Sequence, residues 1–180
     1  MFEIKRLCSL LLVLLFIITG CDVEVEKHSS NNANARSINS NISTPQMELG
    51  DTPPTPIIEA AGKALAVYQS SYCWDNKTKG TSVCADYASP NEMLKDKVKE
   101  KVKANTPITF NFDVKKPTDV SLTIYDNGSI SQVKVTGNSF QTPPEEGIYY
   151  YSLSAVWLTD IEKRISEGSS VYTFAIEVIK

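Results

Sequence analysis

One histidine, four cysteines and a scatter of carboxylates set the limits of the chemistry this 180-residue chain could carry. His28 lies in a polar stretch far from the other candidates, so no imidazole stands ready as general base for a serine or cysteine nucleophile. No nucleophile elbow, zinc-protease helix motif, phosphate-cradling glycine loop or calcium loop occurs. Hydrolysis by two carboxylates stays open on residue types alone, with Asp86, Asp113, Asp119, Glu145 and Glu146 as its candidates. The plainer reading of these is structural. Asp86 beside Cys84 suits a backbone-bonded turn, and Glu145 and Glu146 follow Pro143-Pro144 in what reads as an exposed loop.

The remaining chemistry belongs to the cysteines. Lys5 and Arg6 precede the apolar residues 7–18, and the segment ends Ile18-Thr19-Gly20-Cys21. A basic start, a short apolar core and small residues before a cleavage point make a secretory signal. A membrane-spanning helix needs roughly 20 apolar residues; this run is shorter, and Asp22, Glu24, Glu26 and Lys27 block its extension. With a cysteine directly after the small pair, the segment resembles the lipobox of bacterial lipoproteins. The resemblance implies a diacylglyceryl group on the Cys21 thiol, cleavage after Gly20, and attachment to the outer face of the cell membrane. Two or more acyl chains hold a protein stably where one is marginal. Asp22 resembles the inner-membrane retention signal of Gram-negative lipoproteins, a choice that does not arise in a single-membrane bacterium.

Cys8 would leave with the signal and Cys21 would carry lipid. Cys73 and Cys84 then remain in an oxidising compartment, where such a pair is expected to form a disulfide. Closing a loop of about a dozen residues stabilises a fold by about 3 kcal/mol in the chain-entropy account. A metal site would want closer spacing and further His or Cys ligands. No metal or other cofactor is expected.

Losing Lys5, Arg6 and Glu3 with the signal changes the formal net charge from −3 to −4. That balance gives no footprint for nucleic acid. Residues 21–55 are rich in Asn, Ser, Thr and Pro and poor in large apolar side chains, so they cannot offset chain entropy by burial. They read as a lipid-anchored disordered linker. A coil of about 34 residues spans roughly 30–35 Å on average and about 110–120 Å when pulled straight.

Residues 56–180 are enough for one domain with its own core. Their periodicity is that of strands. Residues 64–68 form a compact apolar run. Ile108, Phe110 and Phe112 alternate with polar residues, as do Val120, Leu122 and Ile124. Asp126-Asn127-Gly128 then supplies a hairpin turn, because both Asn and Gly tolerate positive φ. Ile130, Val133 and Val135 return across it, with an irregularity that suggests a bulge. Tyr149, Tyr151, Leu153, Ala155 and Trp157 share one strand face, as do Tyr172, Phe174, Ile176 and Val178. Ser89, Pro90 and Glu92 predict a capped helical turn. Residues 95–103 fit either helical or strand spacing and read as a short helix followed by a strand. Seven or so short strands predict an all-β, immunoglobulin-like antiparallel β-sandwich with one short helix, a small barrel being the alternative. The cysteine pair would clip an excursion at its edge.

Two aromatic residues stand out against this frame. Trp74 lies among Asp75, Asn76 and Lys77, and Tyr150 faces opposite to Tyr149 and Tyr151. An apolar ring with a polar tip suits stacking on a sugar or a peptide, so Trp74 and Tyr150 are candidate ligand-binding residues. Packing against the bridge is the competing role for Trp74, and Trp157 reads as core. The pattern Tyr72-Cys73-Trp74, Cys84-Ala85-Asp86-Tyr87-Ala88-Ser89-Pro90, Gly147-Ile148-Tyr149-Tyr150-Tyr151, Ala155-Val156-Trp157 and Tyr172-Thr173-Phe174 resembles a domain recurrent in lipoproteins and secreted proteins of Gram-positive spore formers. That resemblance covers about residues 56–180. It implies an extracytoplasmic β-sandwich and no particular activity.

Three functions remain in view. The first is a non-enzymatic, lipid-anchored binding module for a surface protein or cell-wall component. The second is an inhibitor or regulator of a secreted enzyme, entering its cleft with residues 75–83, which a disulfide would preorganise. The third is a carboxylate-dependent wall hydrolase.

Overall fold

The computed structural model describes residues 49–180. The expected signal, Cys21 and most of the expected linker lie outside them. In chain order the elements are β1 (Ile57–Ala60), β2 (Lys63–Ala64), β3 (Tyr68–Asn76), β4 (Thr81–Ala85), α1 (Pro90–Leu94), β5 (Glu100–Lys103), β6 (Pro107–Asn111), β7 (Asp119–Asp126), β8 (Ser129–Val133), β9 (Ser139–Gln141), β10 (Gly147–Asp160) and β11 (Ile165–Ile179). They form two sheets, β2-β1-β6-β9 and β4-β3-β11-β10-β7-β8, with β5 also pairing β11. The fold is the expected all-β, immunoglobulin-like sandwich with one short helix, open at its edges and unevenly divided. Every pairing is antiparallel except β5 with β11, which runs parallel.

Alternation decides what lies between the sheets. Ile58, Ile108, Phe110 and Phe140 point in from the smaller sheet. Leu122, Tyr151, Leu153, Trp157, Tyr172 and Phe174 meet them from the larger one. Removing a large apolar side chain from water contributes roughly 1.5–3 kcal/mol each. The rings interlock across the gap. Phe112 meets Trp157 edge-on with centroids 5.5 Å apart, and Tyr151 stacks on Phe174 at 4.9 Å. Such pairs add about 0.5–1.5 kcal/mol beyond area burial.

Several local expectations are corrected. The Asn127-Gly128 turn forms, with φ of 42° and 84°, but β8 pairs β7 without a bulge. Ile130 breaks the apolar alternation because it faces outward beside Tyr125, while Val133 faces inward beside Leu122. The 64–68 run ends β2 at Ala64 and begins β3 at Tyr68, with residues 65–67 in neither strand. Ser89 makes no side-chain bond at the helix start, so the capping box is not realised. The ambiguous 95–103 segment resolves as turn and then strand, with Val98 86% exposed and Val102 buried in the core cluster.

Packing begins by Leu49, seven residues ahead of the expected domain boundary at residue 56. Leu49 is buried in the core cluster. The carbonyl of Gly50 accepts the Trp74 indole N–H at 2.9 Å, and that of Pro54 accepts the Tyr172 hydroxyl at 2.5 Å. Among the described residues no helix is long and apolar enough to cross a membrane.

Candidate ligand-binding groove

Cys73 and Cys84 face one another directly in the β3–β4 ladder, with Cα atoms 4.1 Å apart and a disulfide between them. Both are exposed, and β4 is the edge strand of the larger sheet, so the bridge clips the edge as expected. Residues 75–83, expected as a loop, instead continue the hairpin, leaving only residues 77–80 as its turn. Its tip is tied down. Ser82 donates to Asp75 at 2.5 Å, the Lys79 N–H to the Asn76 side chain at 2.8 Å, and the Thr78 hydroxyl to Asp51 at 2.9 Å.

The hairpin also settles the position of Trp74. Because strand side chains alternate, exposed Cys73 and Asp75 send Trp74 inward. It is 3% exposed and meets Trp157 edge-on at 5.2 Å. Trp74 therefore has no face to offer a ligand, and it packs away from the bridge rather than against it.

Tyr150 lies on the outer face of β10, half-buried, and directly opposite Tyr125 of β7. Tyr125 in turn faces Ile130 of β8. The row Tyr150, Tyr125, Ile130 thus runs across three neighbouring strands, about 5 Å apart from one strand to the next. On the other side, α1 crosses the same outer face, where Met93 touches Ser70 of β3 at 3.4 Å. Between the start of α1 and the β7–β8 hairpin lies an open groove of about 720 Å³. That is within the usual range of small-ligand sites. Its lining includes Ser89 and Asn91 from the start of α1, Asn127 and Ser129 from the β7–β8 hairpin, and Ile148 of β10. The Lys99 ammonium stands 5.8 Å over the Tyr150 ring, a cation–π contact that contributes about 0.5–1 kcal/mol and fixes the ring.

Sequence reading identified Tyr150 but missed Tyr125, Asp126 and Asn127 as its neighbours. The hairpin signal that placed Asn127 in a turn could have found them, had the register to β10 been known. The carboxylate candidates stand on separate elements. Asp119 pairs Arg164 at 3.3 Å, Glu146 pairs Lys180 at 3.6 Å, and Asp113 accepts from Asn111 at 3.3 Å. Asp86 is exposed after β4, and the Glu145 carbonyl accepts the Tyr149 hydroxyl at 3.2 Å. Among the described residues no cluster of His, Cys, Asp or Glu could hold a metal ion. A second cleft, about 380 Å³, opens between the sheets at Phe110, Phe112 and Val120.

Among the described residues one charged side chain is buried, that of Glu167. Glu167 accepts hydrogen bonds from Lys115 at 2.8 Å and from Lys77. Burial pushes its carboxyl up, but the two lysines outweigh this and hold it below the usual carboxylate range. Burial raises the hydroxyls of Tyr149, Tyr151 and Tyr172 above the ordinary tyrosine value, and that of Tyr151 finds no hydrogen-bond partner among the described residues. In comparisons with protein families, curated proteins and solved structures, the chain matches none of them.

Proposed function

We propose that this chain is a binding module, held by lipid on Cys21 at the outer face of the cell membrane, that captures a surface protein or cell-wall component. The groove beside Tyr150 is the observation that carries the binding half of this reading. It gathers two tyrosines and several polar side chains on a sheet face that the sandwich does not need for its own core. The signal-like start and the cysteine after Gly20 support the anchor. Intact-mass measurement of the membrane-extracted protein tests it, the expected product beginning at Cys21 with fatty acid attached. A Cys21→Ser variant should leave the membrane fraction. A wild-type product that keeps Met1, or that carries no lipid, removes the anchor from the reading.

The tied β3–β4 hairpin favours a second reading as an inhibitor of a secreted enzyme. A preorganised tip lowers the ordering cost of entering a cleft, and Val83 beside the bridge is exposed. Absence of inhibition across a protease panel would dispose of it.

A further inference from the structure

Resting on the binding-module reading, we propose that the Tyr125–Tyr150 groove is a glycan site that takes an uncharged, hydroxyl-rich sugar oligomer lying across the strands. Three observations select this ligand class. The first concerns the floor. β7 is paired on both sides, by β10 and β8, and β10 by β11 and β7. Their backbone groups are spent in the ladders, so an extended peptide would find no strand edge to join there. Recognition falls to side chains.

The second observation is which side chains are unspent. Ser89 does not cap its helix. Among the described residues, the side chains of Asn91 and Asn127 have no hydrogen-bond partner. A hydroxyl and two amides supply donors and acceptors in the mixture that hydroxyl groups satisfy. Between them lie the Tyr150 and Tyr125 rings and Ile130, an apolar row on which the C–H faces of successive sugar rings can rest.

The third observation is charge. Lys99 already stands over Tyr150, which opposes a cationic ligand on that ring. Asp126, the one charged residue of the lining, follows the outward Tyr125 and so turns its carboxylate to the opposite face, on the side of Tyr149, which leaves the lining without a charge to pair with a ligand's. A neutral ligand avoids the one repulsion and needs no countercharge.

The test is calorimetric titration of the full detergent-solubilised chain with a panel of neutral hexose and N-acetylhexosamine oligomers. At least one should bind, with an affinity that changes less than twofold between low and high salt. Tyr125→Ala and Tyr150→Ala should each weaken it at least tenfold, and Asn91→Ala severalfold, while Tyr68→Ala outside the groove leaves it unchanged. Amide shifts in the wild-type chain should cluster at residues 125–130 and 147–150, a readout independent of any variant's folding. Failure of the whole panel overturns the glycan assignment, as does binding that survives both tyrosine substitutions in folded protein. If the panel fails but a cell-surface protein is retained in a Tyr150-dependent way, the glycan proposal falls and the binding-module reading stands. If wild type and Tyr150→Ala retain the same components, both fall.

Discussion

Gly168 of β11 is the cross-strand neighbour of Trp74 on β3, and the indole of Trp74 lies directly over it. The other neighbour of Gly168 is Trp157 on β10. The missing side chain is what lets the two indoles meet edge-on, 5.2 Å apart, above the middle strand. A Cβ added at Gly168 would fall well inside van der Waals contact of three Trp74 ring carbons, and that ring is hemmed in by core.

Gly168→Ala should therefore destabilise the protein by about 1–3 kcal/mol, the usual cost of overpacking. The cause is steric, so a smaller partner should relieve it. In a Trp74→Leu background the alanine should cost less than 0.5 kcal/mol. Denaturant unfolding of the four proteins in this double-mutant cycle measures the coupling. Additive costs would show that the two positions do not compete for the same space.

The disulfide is expected to stabilise locally. Cys73 and Cys84 join adjacent strands at the sheet edge, on the solvent side. A closed loop with sequence separation 11 accounts for up to about 3 kcal/mol. Cys84→Ser together with Cys73→Ser should lower stability by that order. Hydrogen exchange should quicken first in β3 and β4, and glycan affinity at the distant β7–β10 groove should stay within twofold. A loss of groove binding equal to that of Tyr150→Ala would show that the hairpin shapes the site.

Much of the architecture was legible because two long strands carry an unbroken period of two. Tyr149 to Trp157 and Tyr172 to Val178 read as core faces, and every one of those residues is buried. Trp74 was misplaced for a local reason: its polar neighbours mark an exposed hairpin side, not an exposed loop. Its spacing of two from Tyr72 carried the correct signal. Relationships fixed by distant pairing had no local trace. The parallel match of β5 to β11, the position of α1 over the outer sheet face and the facing of Tyr125 with Tyr150 all depend on register. The groove arises from those pairings, so only one of its tyrosines was visible in the sequence.

Glu167 makes acid stability testable. Its folded-state pKa is depressed, so its contribution is fully present above the unfolded value, about 4.3, and is lost as pH falls through the folded value. Glu167→Gln keeps the shape but not the charge. At pH 7 it should cost roughly 1–2 kcal/mol, because one of the two lysines is largely exposed. The gap between wild type and variant should narrow at pH 3. A gap of the same size at both pH values would mean that the carboxylate is not ionically engaged.

The alkaline limb belongs to Tyr172. Burial raises its hydroxyl to about 12, against a hydrogen bond with Ser170 that pulls it down, and the hydroxyl donates to the Pro54 carbonyl. A raised folded-state pKa means that the folded protein holds this proton after the unfolded chain has released it. Its stabilisation is thus complete below about pH 10, the unfolded value, and disappears as pH climbs toward 12. Tyr172→Phe removes the titration and the bond together. At pH 8 the variant should be less stable by about 1 kcal/mol, since the Pro54 carbonyl loses its donor. Between pH 10 and 11 it should lose stability less steeply than wild type, so the two curves converge. Guanidinium midpoints at pH 8, 10 and 11 supply the comparison. Parallel curves would show that Tyr172 ionises as freely in the folded chain as in the unfolded one, and equal stability at pH 8 would show that the bond to Pro54 does not hold the 49–55 segment against the sandwich.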